Sequence, residues 1–253
     1  MKTAIVIPAR YASSRLPGKP LLRQTGKYLV QHVYERACQA SRAATVLVAT
    51  DDPRIVAAVE SFGGRVILTR RDHPSGTDRV AEAARKVDAD VIINLQGDEP
   101  LVDPASLDVL AQLLERDSRA DMATLAVPLR CAERWHDPNC VKVVVDATGR
   151  ALYFSRSPIP FVRDGKPDFS AMPPQFLQHL GIYAFRRQFL FSLAALPPEP
   201  LECLERLEQL RVLALGRSIR VGIVERDSIG VDTLDDYERF VRTYRDLHRQ
   251  KAA

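Results

Sequence analysis

The stretch PARYASSRLPGKP, residues 8–20, brings together Arg10, Arg15 and Lys19, with Arg23 just beyond, in a segment stiffened by Pro8, Pro17 and Pro20. Guanidinium forks and a compact ammonium are side chains that hold phosphate oxygens, whether on a nucleic acid or on a small ligand. Prolines reduce the entropy lost when such a loop closes on its ligand. The competing reading is a solvated loop with incidental charge. The commonest phosphate loops are missing. A Walker loop would need Gly at 13 and Ser or Thr at 20, where the chain has Ser13 and Pro20, and no GxGxxG follows the first apolar run.

Further along, LQGDEP (95–100) sets Asp98 beside Glu99, and GVDT (230–233) supplies a distant Asp232. Magnesium takes hard oxygen ligands and is commonly shared between one or two carboxylates and substrate phosphates. Alternatively, Asp98 or Glu99 opens a turn before Pro100, and Asp232 or Thr233 caps a helix. HPSGTDR (73–79) offers small Ser75 and Gly76, then Thr77, Asp78 and Arg79, as either an anion-binding turn or an ordinary capped helix start. HLGIYAFRR (179–187) places His179, Gly181 and Tyr183 on one strand face by alternation, and LEQLR (207–211) interrupts an apolar stripe with Glu208 and Gln209. On the residues alone, a structural histidine and a solvated helix face are the readings to accept for those two. No Ser–His–Asp or Cys–His set can be assembled.

These residues need a scaffold, and its pattern is regular. TAIVIP, TVLVAT, RVILT and DVIINL are short β-branched runs, separated by GKYLVQHVYERACQA, DDPRIVAAVESFGG and SGTDRVAEAARKVDA with apolar residues at helical spacing. That alternation predicts a mostly parallel α/β sheet covered by helices on both faces. The polar residues above then sit at the carboxyl ends of strands, where such sheets bind ligands. Asp51 or Asp52 is expected to cap the second helix, and the third is expected to start near Ser75–Thr77. From about 128 to 185 the rhythm changes to strands close in sequence, with a hairpin turning at Asp146–Gly149, which predicts an antiparallel excursion forming a smaller lobe. EPLECLERLEQLRVLAL reads as one amphipathic helix, SIRVGIVE as a last strand and TLDDYERFVRTYRDLHRQ as a closing helix. The expectation is a single domain over 1–253.

The chain has 253 residues, 46% hydrophobic and 27% charged, with a net charge of +4 spread through the sequence. There is no basic stripe for a nucleic acid and no run long enough to cross a membrane. Cys38, Cys131, Cys140 and Cys203 form no CxxC pair, so free thiols in a reducing compartment are expected. With no signal-peptide pattern at the start, the expected location is the cytoplasm.

Together, PARYASSRLPGKPL, ATDD, HPSGTDR, NLQGDEP, MATLAVP, NCVKVVVDATGRALYFSRSPIP, HLGIYAFR, LECLERLEQLR and GVDT resemble the bacterial 3-deoxy-manno-octulosonate cytidylyltransferases, also called CMP-Kdo synthetases, across essentially the whole chain. LQGDEP and VDT are shared with other sugar nucleotidyltransferases, whereas YFSRxxIP, HLGIY and LEQLR are more specific. Tyr28, where Pro is common, and the segment FVRDGKPDFSAMPPQ depart from the pattern outside the site motifs. The resemblance implies a Rossmann-like nucleotidyltransferase fold that couples CTP and Kdo into CMP-Kdo and pyrophosphate, with Mg²⁺, for lipopolysaccharide synthesis. It implies a homodimer, with contacts through the antiparallel lobe. Arg10, Arg15, Lys19 and Asp98 are then the catalytic set. Pro8, Ala9, Arg10, Ser13, Arg15, Lys19, Ser75, Gly76, Thr77, Asp78 and Arg79 would hold the nucleotide. Arg10, Gln96, Arg156, His179, Tyr183, Glu208 and Gln209 would hold the sugar acid, whose carboxylate needs a cation such as Arg156 or Arg10. Asp98 and Asp232 would hold the metal. The alternatives are a cytidylyltransferase for 8-amino-Kdo or a sialic-acid-type sugar, and a catalytically silent nucleotide-binding regulator.

Overall fold

All seven residues of the first strand, β1 (Thr3–Ala9), are buried, so both faces of that strand are covered and no side of TAIVIPA meets water. This computed structural model describes residues 1–12, 15–227 and 230–252. The chain divides into two units, Met1–Asp108 with Ser228–Ala253, and Val109–Asp227.

In the first unit β1 leads through a 3₁₀ turn (Lys19–Leu21) to α1 (Leu29–Ala37), followed by β2 (Ala43–Thr50), α2 (Pro53–Ser61), β3 (Val66–Leu68), α3 (Gly76–Ala84) and β4 (Val91–Asn94). The strand order is β3-β2-β1-β4, and every pair described within it is parallel. The chain winds outward from β1 to β3 and then returns to the other side of β1. The order therefore reverses between β1 and β4, and the carboxyl ends of these two strands flank the crevice where such sheets bind ligands. The helix starts follow their capping chemistry. Asp52 caps α2 by accepting from Arg54 N at 2.9 Å, ahead of Pro53 in the first turn, and Ser75 and Asp78 form a reciprocal capping box at the start of α3. Both starts are those expected from the sequence.

The boundary between the units falls inside α4 (Pro104–Arg116). The second unit then contains β5 (Met122–Pro128), α5 (Ala132–His136), β6 (Lys142–Val145), β7 (Ala151–Ser155), β8 (Leu177–Arg186), α6 (Arg187–Ala194), α7 (Pro200–Glu205), α8 (Gln209–Ala214) and β9 (Ile219–Ile223). β5 lies between antiparallel β8 and parallel β9, while β6 and β7 form the expected hairpin and β6 also pairs with β8. The chain closes in the first unit with α9 (Leu234–Ala252), whose Tyr237, Phe240 and Val241 pack with Leu29 of α1.

The structure differs from the sequence reading at two points. EPLECLERLEQLRVLAL is two helices, broken where Arg206 takes a left-handed conformation (φ 54°) and Leu207 N turns back to Glu202 O at 3.2 Å. Strand β8 does not alternate simply either. Tyr183 pairs with Thr124 but Leu180 pairs with Leu125, so two residues, Gly181 and Ile182, bulge out of the ladder. An even number of extra residues preserves the face, which leaves His179 and Tyr183 on the same side as Thr124.

Candidate active site

The first unit assembles its polar residues at the reversal point. Gly97 runs so close to β1 that a Cβ there would lie 2.7 Å from Pro8 O, so only glycine lets the QGDE turn hug the end of β1. Gly76, which opens α3, faces both Pro8 and Gln96: a Cβ built there would lie within 3.9 Å of each. Pro8, Gly76 and Gln96 thus come together from three elements distant in sequence. Ala9 is the last residue of β1, and half-buried Arg10 follows it. Beyond them the basic loop is closed by a hydrogen bond from Gly18 N to Tyr11 O at 3.0 Å. The Tyr11 ring lies 3.3 Å from the Arg54 guanidinium, which in turn makes two bonds to Asp52, of 2.9 and 2.7 Å. These bonds hold the Asp52 carboxyl below its ordinary pKa. A cation over a tyrosine face and a bidentate ion pair therefore fasten the loop to the start of α2.

Inside that loop Lys19 does not point to open water. Its Nζ donates to Asp98 Oδ2 at 2.8 Å, to Val231 O at 2.8 Å and to Asp232 Oδ1 at 3.3 Å, which occupies all three donors. Arg15 Nη2 adds a second cation on Asp232 Oδ1 at 3.0 Å. Val231 N returns to Asp98 O at 2.8 Å, so main chain also ties the two acidic segments together. Asp98 and Asp232, separated by 134 positions, thus converge on one cationic centre. Their hard oxygen donors suit Mg²⁺, and the Lys19 ammonium stands where a cation is already favoured. Among the described residues no group of three His, Cys, Asp or Glu side chains gathers; a magnesium ion held by two carboxylates would take its remaining oxygens from phosphate and water.

At α3, Ser75 and Asp78 are occupied with each other: Asp78 N donates to Ser75 Oγ at 3.2 Å, and Ser75 Oγ donates to Asp78 Oδ2 at 2.7 Å. Thr77 Oγ1 accepts from Asn94 Nδ2, and Asn94 Oδ1 accepts from Gln96 Nε2, at 3.4 and 3.3 Å. Arg79 is fully buried; its Nη1 lies 3.3 Å from Asp51 Oδ1 and donates to Thr69 Oγ1 at 2.6 Å. It faces inward, bracing the ends of β2 and β3. Ser13 lies outside the described residues.

The second unit gathers the other set. His179 Nε2 is 2.9 Å from Thr124 Oγ1, which also lies 2.9 Å from Ile182 O and 3.1 Å from Leu180 O. A hydroxyl has one proton, and Thr124 spends it on a carbonyl of the bulge. His179 must then donate from Nε2, leaving Nδ1 as the ring's acceptor. Burial pushes the imidazole down from 6.5 to about 3, so it is neutral at working pH. Nitrogen NMR of labelled histidine should find an Nε2–H ring that does not titrate between about pH 5 and 8. A His179 signal titrating near its ordinary value removes both the burial and the tautomer argument. The sign for stability follows. An unfolded chain protonates His179 near 6.5 and the folded one only near 3, so this residue costs stability as pH falls through that interval and nothing above it.

Tyr183 stacks obliquely on His179, centroids 5.5 Å apart, and donates to Gln209 Oε1 at 3.2 Å. Burial, assisted by the negative charge of Glu208, raises the phenol's pKa and keeps it protonated. Gln209 is 2% exposed, yet its Nε2 has no hydrogen-bond partner. Such a buried donor costs about 1–3 kcal/mol unless a ligand accepts from it. Arg156 is committed differently: Nε, Nη1 and Nη2 donate to the carbonyls of Glu205, Pro138 and Arg206 at 2.7, 2.9 and 3.4 Å. Sequence reasoning missed Thr124, whose signal was a lone hydroxyl in the apolar run MATLAVP. It also missed Tyr11 and Arg54, whose stacking leaves no mark in spacing.

Residues 4–219 match the family model described as cytidylyltransferase. The chain is 52% identical over 244 residues to a 3-deoxy-manno-octulosonate cytidylyltransferase of Syntrophobacter fumaroxidans, covering 95% of this chain and 96% of that protein. It is 50% identical over 242 residues to the like-named protein of Syntrophotalea carbinolica, covering 94% and 97%. Among solved structures, a CMP:2-keto-3-deoxy-manno-octonic acid synthetase complexed with CTP superposes with a TM-score of 0.90 at 48% identity, covering 97% of this chain and 99% of that one.

Proposed function

Because this chain belongs to the 3-deoxy-manno-octulosonate cytidylyltransferase family, a group of CTP-using nucleotidyltransferases, we propose that it couples CTP to Kdo, releasing pyrophosphate and forming CMP-Kdo. The observation that carries this reading is the convergence of Asp98 and Asp232 on the Lys19 ammonium of the basic loop, with Arg15 also on Asp232, at the point where the sheet order reverses. An acidic pair next to a basic loop is what a magnesium-bound triphosphate requires.

In this reading the anomeric hydroxyl of the sugar attacks the α-phosphorus in line. The new bond joins the sugar oxygen to phosphorus, the bond to the bridging oxygen breaks to release pyrophosphate, and the hydroxyl's proton is given up to water. No covalent nucleophile is needed, so catalysis rests on positioning and charge neutralisation. Arg10, Arg15 and Lys19 neutralise the triphosphate. Pro8, Ala9, Ser13 and the Ser75–Arg79 turn shape the nucleotide's seat, with Ser75, Asp78 and Arg79 acting through the hydrogen bonds and burial described above. Asp98 and Asp232 would hold Mg²⁺, which supplies charge neutralisation at the phosphates and a lowered pKa for the attacking hydroxyl. Gln209 Nε2, Tyr183, neutral His179, Glu208 and Gln96 offer the sugar's hydroxyls donors and acceptors. Arg10 remains to face its carboxylate, alongside whichever N–H groups of Arg156 are not spent on carbonyls.

The same reading makes the chain a cytoplasmic homodimer supplying an activated sugar for lipopolysaccharide. Four free cysteines support a reducing compartment, and exposed Leu152, Phe161 and Met172 in the excursion support a subunit contact there. No helix among the described residues is long and apolar enough to cross a membrane. Pyrophosphate release from CTP and Mg²⁺ should be measured with Kdo, 8-amino-Kdo and a sialic acid. Kdo should lead in kcat/KM by at least about tenfold, since a site built for particular hydroxyls rejects analogues that leave its polar groups unpaired. A lead by either other acid overturns the sugar assignment, and CTP binding without turnover on any of them points to a silent regulator.

A further inference from the structure

The corner between α7 and α8 decides where Glu208 and Gln209 stand, and that corner is held in an unusual way. It contains no glycine and no proline; it turns because Arg206 adopts a left-handed conformation, which costs a non-glycine residue about 1 kcal/mol or more. Something must hold it there. The Glu205 carboxylate accepts from Ser155 Oγ at 2.6 Å through Oε1 and from Arg156 N at 2.9 Å through Oε2. Its main-chain carbonyl accepts from Arg156 Nε at 2.7 Å, and the Arg206 carbonyl accepts from Arg156 Nη2 at 3.4 Å. Glu205 and Arg156 thus grip each other through side chain and main chain alike.

The β7 end of this clasp is itself anchored. Arg156 O accepts from Lys142 Nζ at 2.6 Å, and the same ammonium donates to Cys140 O at 2.5 Å and Asp137 O at 3.0 Å. Lys142 is completely buried, so those three carbonyls are its whole environment for hydrogen bonding. On the far side of the corner, Arg211 makes two bonds of 2.6 and 2.5 Å to Glu202, joining α8 to α7. That pair fixes one helix against the other. Two side chains tie the helix pair to the end of β7: the Arg156 guanidinium, which holds the corner's main-chain carbonyls, and the Glu205 carboxylate, which reaches back from the helix side to Ser155 and Arg156 N.

We propose that Glu205 is a positioning residue for the sugar acid: by clamping the α7–α8 corner to β7 it sets Gln209 Nε2 and the Glu208 carboxylate where the sugar's hydroxyls meet them. This rests on the reading of Gln209 and Glu208 as sugar contacts. Glu205 itself need not touch substrate, and its partners Ser155 and Arg156 N belong to the protein.

The test is steady-state kinetics of the full chain, with CTP varied at saturating Kdo and Kdo varied at saturating CTP, for E205A, E205Q and S155A. Glutamine can accept from Arg156 N and donate to Ser155 Oγ, so it rebuilds the clasp without the charge; alanine restores neither of those bonds and leaves only the hold of the Arg156 guanidinium on main-chain carbonyls. E205A should raise the KM for Kdo about tenfold, the size expected for losing hydrogen bonds to a charged group, while the KM for CTP stays within about twofold. E205Q should return the Kdo KM to within about threefold of wild type, and S155A, which removes one tether, should fall between them. Should E205A fail to fold, E205Q and S155A still decide the matter. An unchanged Kdo KM in S155A or in folded E205A, an equal rise for both substrates, or an E205Q Kdo KM raised about tenfold or more would each overturn the proposal. A wild-type chain with no turnover on CTP and Kdo would instead overturn the functional reading on which it rests.

Discussion

Replacing Asp98 with asparagine is expected to abolish turnover while leaving the protein folded. The geometry separates the two effects. Asp98 contributes to the fold through its main-chain carbonyl, which accepts Val231 N at 2.8 Å, and asparagine keeps that bond unaltered. Among the described residues its side chain bonds to the Lys19 ammonium at 2.8 Å, and an amide oxygen can still accept there. The carboxylate is 28% exposed, so the lost charge is partly screened by solvent and its removal costs little stability. What asparagine cannot do is supply a negative oxygen to a magnesium ion or share in neutralising the centre where the triphosphate reacts. Removing one preorganised electrostatic group of this kind lowers kcat by about 10²–10³, and a metal-holding carboxylate belongs at the upper end. The measurements are kcat as a function of Mg²⁺ concentration, together with a thermal melt. Near-normal rates with a normal magnesium requirement would take Asp98 out of the metal role. A collapse of the melting temperature alongside activity would assign it to the fold instead.

How much of this arrangement could be read beforehand depends on the distance over which each interaction acts. The parallel half was legible because its signals are local. Short, β-branched, near-continuous apolar runs such as TAIVIP, bounded by turn signals, read as strands buried on both faces, and Asp52 and Ser75 cap helices with partners two and three residues away. The first-unit candidates were legible for a related reason, since charged residues that end apolar strands collect at one edge of a parallel sheet. The break at Arg206 was not legible. LECLERLEQLR has unbroken helical spacing, and the turn exists because Glu205 and Arg156, 49 positions apart, grip each other. The bulge in β8 was hidden likewise, because it depends on Thr124 reaching two carbonyls across the ladder. Arg156 illustrates the same limit at the level of a single side chain. Its type suggested a cation for a carboxylate, but the fold spends three of its nitrogens on carbonyls that no spacing rule connects to it.

Lys19 is where sequence and structure together say more than either alone, and its replacement should produce two opposite effects. The sequence leads one to expect an ammonium in a loop that would face phosphates, while the structure shows it among Asp98, Asp232 and Val231 O, with its side chain only 13% exposed. Both positions are electrostatically sensible. Before nucleotide arrives, the ammonium balances two carboxylates that would otherwise repel each other; once a triphosphate is present, its oxygens compete for the same donors. Arg15, whose pairing with Asp232 is far more exposed at 64%, is held more loosely and can change partners at little cost. In Lys19→Met the acidic pair loses its resident cation but keeps its oxygens. The free protein should therefore bind Mn²⁺, used as a paramagnetic stand-in for Mg²⁺, several-fold more tightly than wild type, while kcat/KM for CTP falls by about 10²–10³ for want of the phosphate contact. Stability should drop by about 1–2 kcal/mol, less than for a fully buried pair because both carboxylates retain contact with water. Mn²⁺ affinity equal in the two proteins would mean that Lys19 does not compete for the carboxylates. Intact CTP kinetics would leave the ammonium a purely structural clasp between the basic loop and residues 231–232.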